Sequence, residues 1–124
     1  MTKNLSTQKA FQLIQNLYRA VDNRDIEILG NYLADDLVFQ LGNLDAIEGK
    51  EAVLAANESF FQTIANMVHT IDGIWAQDSN VICAGSVEYT RLDNSKLSIP
   101  FSTILTLKND LISHYQIYAD VSSL

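Results

Sequence analysis

Hydrophobic residues in the first half of the chain recur at the spacing of amphipathic helices. Between residues 6 and 22 the apolar side chains fall three or four positions apart, which places them on one helical face, with Ser6 or Thr7 as the N-cap. A shorter second helix is predicted over residues 26–33. A third helix begins at Gly49, and its predicted apolar face consists of Val53, Ala56, Phe60, Ile64 and Met67.

The second half of the chain has the alternation and turn residues of β-structure. A short strand is predicted over residues 37–41, and four longer strands over residues 68–75, 80–92, 97–108 and 111–121. The segments AQDSN, DNSK and KND between the long strands are rich in Asp, Asn and Ser, which favour hairpin turns. Three helices followed by an antiparallel meander predict an α+β domain in which the helices cover one face of a curved sheet.

The composition restricts the class of protein. A chain of 124 residues with 48% hydrophobic and 19% charged residues predicts one folded domain, and its apolar runs are too short to span a membrane. The net charge of −7 argues against binding to nucleic acid. The first 13 residues hold no apolar run typical of a secretory signal, so we expect a cytoplasmic protein. Cys83 is the single cysteine, which excludes an internal disulfide and is typical of a small core residue.

The order of the predicted elements resembles the nuclear transport factor 2-like superfamily. The segments YRAVDNRDIEILGNYLADDLVF, IEGKEAV, IPFSTILTLKNDLI and YQIYADVSSL look like parts of its SnoaL-like members, in the polyketide cyclase and ketosteroid isomerase-like branch. The resemblance implies one domain over residues 1–124. Its expected fold is a cone-shaped (cystatin-like) α+β roll, with three N-terminal helices packed on a curved, mostly antiparallel sheet.

Two catalytic patterns of this superfamily do not fit the chain. The base and the two oxyanion donors of ketosteroid isomerases fall on Leu41, Leu17 and Thr103, so both carboxylates are missing. Limonene epoxide hydrolases use an Arg-x-Asp pair, which Arg91-Leu92-Asp93 matches in spelling. However, Asp93 opens a predicted hairpin turn, and the second Asp of that family falls on Ile117.

The resemblance also implies which strand residues face a pocket. Because alternate strand residues face opposite sides, the pocket side is predicted to be mostly apolar with a few hydroxyl groups. The small residues Gly85 and Ala119 are expected to leave this pocket open. The predicted ligand-binding residues are Tyr18, Tyr89, Phe101, Thr103, Tyr115 and Ile117.

Asp120 is the candidate catalytic residue that the resemblance implies, because SnoaL-like cyclases carry an acid/base group at this point of the last strand. Strict alternation places Asp120 on the outer face, so an inward orientation requires a β-bulge near the strand end. Turned inward among apolar neighbours, it would have a raised pKa. His114 is expected on the outer face, and His69 is a weaker candidate for proton transfer. The spacing of the histidines and Cys83 predicts no metal site.

Two functions remain open from the sequence. The first is a small-molecule-binding domain with an apolar cavity and no catalysis. The second is a cyclase- or isomerase-type enzyme that moves a proton on an apolar carbonyl compound, with Asp120 as acid/base. No cofactor, nucleic acid or membrane partner is expected. A homodimer is predicted through the outer sheet face, where Ile104 and Tyr118 lie among residues with few charges.

Overall fold

The computed structural model describes residues 6–124. The stretch in which no secretory signal is expected therefore lies partly outside the described residues, since it includes residues 1–5. The helices are α1 (Thr7–Asp22), α2 (Ile26–Gly30) and α3 (Lys50–Gln62). The strands are β1 (Leu33–Leu41), β2 (Ile47–Glu48), β3 (Ile64–Gln77), β4 (Asn80–Arg91), β5 (Lys96–Lys108) and β6 (Leu111–Tyr118). No helix within residues 6–124 is long and apolar enough to cross a membrane.

The first two helices begin at side-chain caps. The Ser6 hydroxyl accepts a hydrogen bond from the Lys9 amide at 3.1 Å, and the Asp25 carboxylate accepts one from the Ile28 amide at 3.0 Å. The face of α1 that carries Ile14 and Leu17 is fully buried. Helix α2 ends at Gly30, earlier than the sequence predicts, because the chain turns there into β1.

The third helix is shorter than its apolar spacing predicts, and the assignment of Ile64 and Met67 to it was wrong. Both residues belong to β3, where they are buried. The register of β3 against β4 shifts between Ile64 and Asn66, so Ile64 and Met67 both face the core although they lie three positions apart. A β-bulge therefore imitates helical spacing at this point.

The helices pack on a curved six-stranded sheet with the order β2-β1-β6-β5-β4-β3. Strands β3 to β6 form the predicted antiparallel meander, whereas β1 pairs with β6 in parallel. Burial alternates along the central strands, as Val87 and Tyr89 are buried while Glu88 between them is exposed. The structure has the α+β cone fold that the sequence predicts.

Gly85 does not open the pocket, contrary to expectation. A Cβ atom at this position would lie 1.9 Å from the backbone oxygen of Thr70 on β3. The register between β3 and β4 shifts just beyond this point, between Ile71 and Gly73. Glycine is needed here because the two backbones approach closely at this irregularity.

Candidate functional site

A cavity of about 200 Å³ lies between the inner face of the sheet and the helices. Residues from all three helices and all six strands line it, together with Leu44 and Asp45 from the loop between β1 and β2. The lining is mostly apolar. Its aromatic side chains include Tyr18, Phe39, Phe60, Tyr89, Phe101 and Tyr115.

Of the six predicted ligand-binding residues, all except Thr103 line this cavity; they are Tyr18, Tyr89, Phe101, Tyr115 and Ile117. Thr103 is fully buried and does not line the cavity, which corrects the expectation that its hydroxyl reaches into it. That hydroxyl accepts a hydrogen bond from Tyr18 at 3.3 Å and lies 2.9 Å from the Cys83 sulfur. Thr103 therefore supports a lining residue from behind.

The hydroxyl groups of Tyr18 and Tyr115 are already hydrogen-bonded. Tyr115 donates to Tyr18 at 3.1 Å, and Tyr18 donates to Thr103. Burial raises the pKa of Tyr18 well above its usual value and also raises the pKa of Tyr115. Both phenols keep their protons at neutral pH, and both protons are directed to protein oxygens.

The cavity contains an imidazole held by a carboxylate. His69 on β3 has its Nδ1 atom 2.5 Å from Oδ1 of Asp22, the last residue of α1. The backbone amide of His69 donates to Oδ2 of the same carboxylate at 2.9 Å. Because an ionised carboxylate only accepts hydrogen bonds, Nδ1 carries a proton, and in the neutral imidazole the lone pair is on Nε2.

The His69 ring is fixed against the cavity wall. Its centroid lies 4.6 Å from that of Tyr18 and 5.0 Å from that of Phe101, and its side chain is 8% exposed. Nε2 has no hydrogen-bond partner among residues 6–124. Every fully buried side-chain nitrogen and oxygen in that range has a partner, so Nε2 is not fully buried. Nε2 therefore keeps accessible surface, on a side chain that lines the cavity.

Tyr89 provides a hydroxyl group whose proton is not used within the protein. The side chain lines the cavity on β4, and its ring packs edge-on against Phe60 at 5.9 Å. No residue in the described part of the chain accepts a hydrogen bond from its hydroxyl. Burial, and secondly the negative charge of Asp22, raise the pKa of Tyr89 to about 12. Tyr89 is therefore a protonated donor available to a cavity ligand.

Asp120 lies outside the cavity. It follows the end of β6, is exposed, and accepts a hydrogen bond from the Ser122 amide at 3.0 Å. The Ser122 side chain and then its backbone amide lower the pKa of Asp120, whereas an inward carboxylate would have a raised pKa. The register shift between β5 and β6 falls between Thr106 and Leu107, not near Asp120. The inward orientation that its catalytic role requires is not observed.

The other titratable candidates are also remote from the cavity. Asp93 is exposed in the β4–β5 hairpin, where its carboxylate accepts hydrogen bonds from the amide and hydroxyl of Ser95. Arg91 donates to the backbone oxygen of Ser123 at 2.7 Å. His114 is exposed on β6. Residues 6–124 contain no cluster of three or more His, Cys, Asp or Glu residues suited to a metal ion.

The sequence analysis missed the pairing of Asp22 with His69. The two residues are 47 positions apart and share no motif. One signal was available, because strand parity from Met67 places His69 on the inner face together with the other buried residues of β3 and β4. The position of Asp22 opposite that strand depends on how α1 packs on the sheet.

The family model for the SnoaL-like domain matches residues 14–115 of this chain. The chain therefore belongs to the SnoaL-like domain family, within the nuclear transport factor 2-like superfamily. Among proteins with curated descriptions, none matches the sequence significantly.

Solved structures from several bacteria share the fold. An NTF2-like protein of unknown function from Burkholderia pseudomallei has a TM-score of 0.83 at 16% identity, with 92% of each chain covered. A protein named a SnoaL-like polyketide cyclase, from Jannaschia sp., has a TM-score of 0.82 at 12% identity, covering 98% of this chain and 93% of that one. An LEH-like epoxide hydrolase from M. tuberculosis has a TM-score of 0.80 at 17% identity, covering 93% and 85%. At these identities the likeness extends to the fold alone.

Proposed function

We propose that this domain binds a small, largely apolar carbonyl compound in its cavity and transfers a proton on it, with His69 as the base. The observation that carries the proposal is the Asp22–His69 pair within an otherwise apolar cavity. A carboxylate that orients an imidazole is a common arrangement for proton transfer, because it fixes the tautomer and stabilises the imidazolium that forms. Family membership supports a ligand-binding or cyclase- and isomerase-type role.

The proposed step uses three groups of this chain. Nε2 of His69 accepts a proton from the carbon next to the carbonyl, and the C–H electron pair forms the carbon–carbon double bond of an enolate. The carbonyl π electrons move to oxygen, which accepts a hydrogen bond from Tyr89. Asp22 stabilises the imidazolium, which returns the proton to the same carbon or to another carbon of the conjugated system. No co-reactant is consumed.

A binding role without chemistry is the second candidate function. Apart from His69 and the tyrosine hydroxyls, the lining is mostly hydrophobic, which favours retention of an apolar molecule by burial alone. The Asp22–His69 pair would then only join α1 to β3. The two functions differ in one measurable respect, since only the enzyme exchanges substrate protons with solvent.

Hydrogen exchange on a simple ketone tests the proposal. We expect the protein to accelerate the exchange of the acetophenone methyl protons for deuterium in D₂O, which NMR follows. His69→Gln should lower the exchange rate by about 10²–10⁴-fold. His114→Gln is the matched control because His114 is exposed on β6, and it should retain the rate. Equal exchange rates for the native protein and His69→Gln, with unchanged melting temperature and acetophenone affinity, would contradict proton transfer by His69. The binding role without chemistry would then remain.

We further propose that the protein is a homodimer through the outer face of the sheet. Trp75, Ile82 and Ile104 form a cross-strand row on this face, and Trp75 is 58% exposed. Tyr118, also 55% exposed, lies on β6 beside Ser102. An apolar row on a sheet face is suited to pairing with its own copy about a two-fold axis.

A further inference from the structure

The cavity lining contains no cationic side chain within the described residues. None of its members is Lys or Arg, and the one carboxylate among them belongs to Asp45. A second carboxylate, Asp22, lies directly behind His69. Arg24 donates to the backbone oxygen of Ala65 at 3.0 Å and does not line the cavity. Because the lining has no Lys or Arg and His69 is already paired with Asp22, a bound anion would lose its hydration without gaining an unpaired cationic partner.

Asp45 lies where the cavity meets solvent. It is exposed, yet it also lines the cavity, and it follows Leu44, which is 55% exposed and lines the cavity as well. An anionic ligand that enters here approaches a carboxylate of the same sign. A protein with a net charge of −7 adds a repulsive long-range field.

The cavity volume limits the size of the ligand. An apolar cavity of roughly 150 Å³ accepts benzene, and pockets for drug-sized ligands measure about 300–1,000 Å³. At about 200 Å³, this cavity accommodates one ring with a short substituent. The Phe60 ring, which packs against Tyr89 and Phe61, forms part of the wall that bounds this volume.

We infer that the site selects uncharged molecules of one-ring size, and that Asp45 is the residue that rejects anions of the same shape. This inference rests on the proposed binding of a small ligand, but it does not depend on proton transfer. Its substrate class is therefore a neutral monocyclic carbonyl compound. Carboxylic acids, phosphorylated compounds and fused-ring molecules are excluded by charge or by size.

Three probes of graded charge and size test the inference. Calorimetric titration should detect acetophenone binding, with benzoate and 2-acetonaphthone each at least about tenfold weaker. Asp45→Lys should raise the affinity for benzoate relative to acetophenone by about tenfold, with Asp45→Asn intermediate. The matched control Asp36→Lys makes the same charge change at an exposed β1 residue outside the lining, and should leave this ratio within about twofold. Phe60→Ala should raise the affinity for 2-acetonaphthone relative to that for acetophenone.

The outcomes separate this inference from the proposed function. Benzoate binding as tight as acetophenone binding would overturn the inference, as would a benzoate ratio that responds equally to Asp45→Lys and Asp36→Lys. Failure of all three probes to bind would also overturn it. Acetophenone that binds selectively but exchanges no protons through His69 would instead support the inference and end the proton-transfer proposal.

Discussion

The inner side of the domain and the segment that follows β6 present similar titratable groups in different surroundings. On the inner side, Asp22 has a side chain that is 23% exposed and is paired with the imidazole of His69 beside an apolar cavity. Beyond the end of β6, Asp120 is exposed and hydrogen-bonded to its neighbour Ser122. A carboxylate at the end of the last strand is thus not sufficient to mark a reaction site, because its chemistry depends on burial and on a partner.

The largest expected effect comes from removing the charge of each carboxylate in turn. Asp22→Asn should lower the exchange rate of acetophenone protons by about 10²–10⁴-fold, because the amide no longer stabilises the imidazolium or fixes the tautomer. Asp120→Asn should leave the rate unchanged. Deuterium incorporation measured by NMR for both variants decides between them, and the reverse result would return Asp120 to the catalytic role.

Substitutions on the outer face of the sheet should change the oligomeric state instead of the exchange rate. The double variant Ile104→Asp and Tyr118→Asp should convert the proposed dimer to a monomer, because each carboxylate would be buried without a partner twice by symmetry. Light scattering at tens of micromolar measures this. Leu92→Asp introduces the same charge in the exposed β4–β5 hairpin and should leave the dimer intact. A native protein that scatters as a monomer would refute the dimer.

Substitutions of two threonines on β5 compare how much hydrogen bonds on the two faces of the sheet contribute to the free energy of unfolding. Thr103→Val should lower the free energy of unfolding by about 1–3 kcal/mol, because the buried Tyr18 hydroxyl loses its acceptor. Thr106→Val breaks a hydrogen bond to the Asn80 side chain at a part-buried site and should cost about 0.5 kcal/mol or less. Urea unfolding measures both. Equal losses would show that the hydroxyl network behind the cavity adds no stability of its own.

The effect that is smallest at neutral pH is an alkaline change in stability from Tyr89. Its pKa rises to about 12 in the folded protein, so the folded state keeps a proton that the unfolded chain releases from about pH 10. The stability from this group is complete below pH 10 and is lost as the pH rises through 12. Tyr89→Phe should remove one absorbance titration step near pH 12, and persistence of that step would assign it to another tyrosine.

Much of the fold follows from local signals that survive in the structure. The caps Ser6 and Asp25 start their helices, and the Asp, Asn and Ser turns join the predicted meander. The errors are local as well. The bulge near Ile64 lengthens β3 at the expense of α3, and the two-residue strand β2 was not predicted.

The residues of the site also divide into those that local sequence patterns predicted and those that they did not. Strand alternation grouped Tyr89, Phe101 and Tyr115 on one side, because neighbouring strand residues must face opposite ways, and the family resemblance identified that side as the cavity side. The position of Thr103 behind Tyr18, and the contact of Asp22 with His69, were decided by the packing of α1 across the inner face of the sheet. The sequence by itself determined which residues face inward, since that information is local. Only the tertiary structure decided which of them meet, because the distance between two residues on different elements depends on the packing of the whole domain.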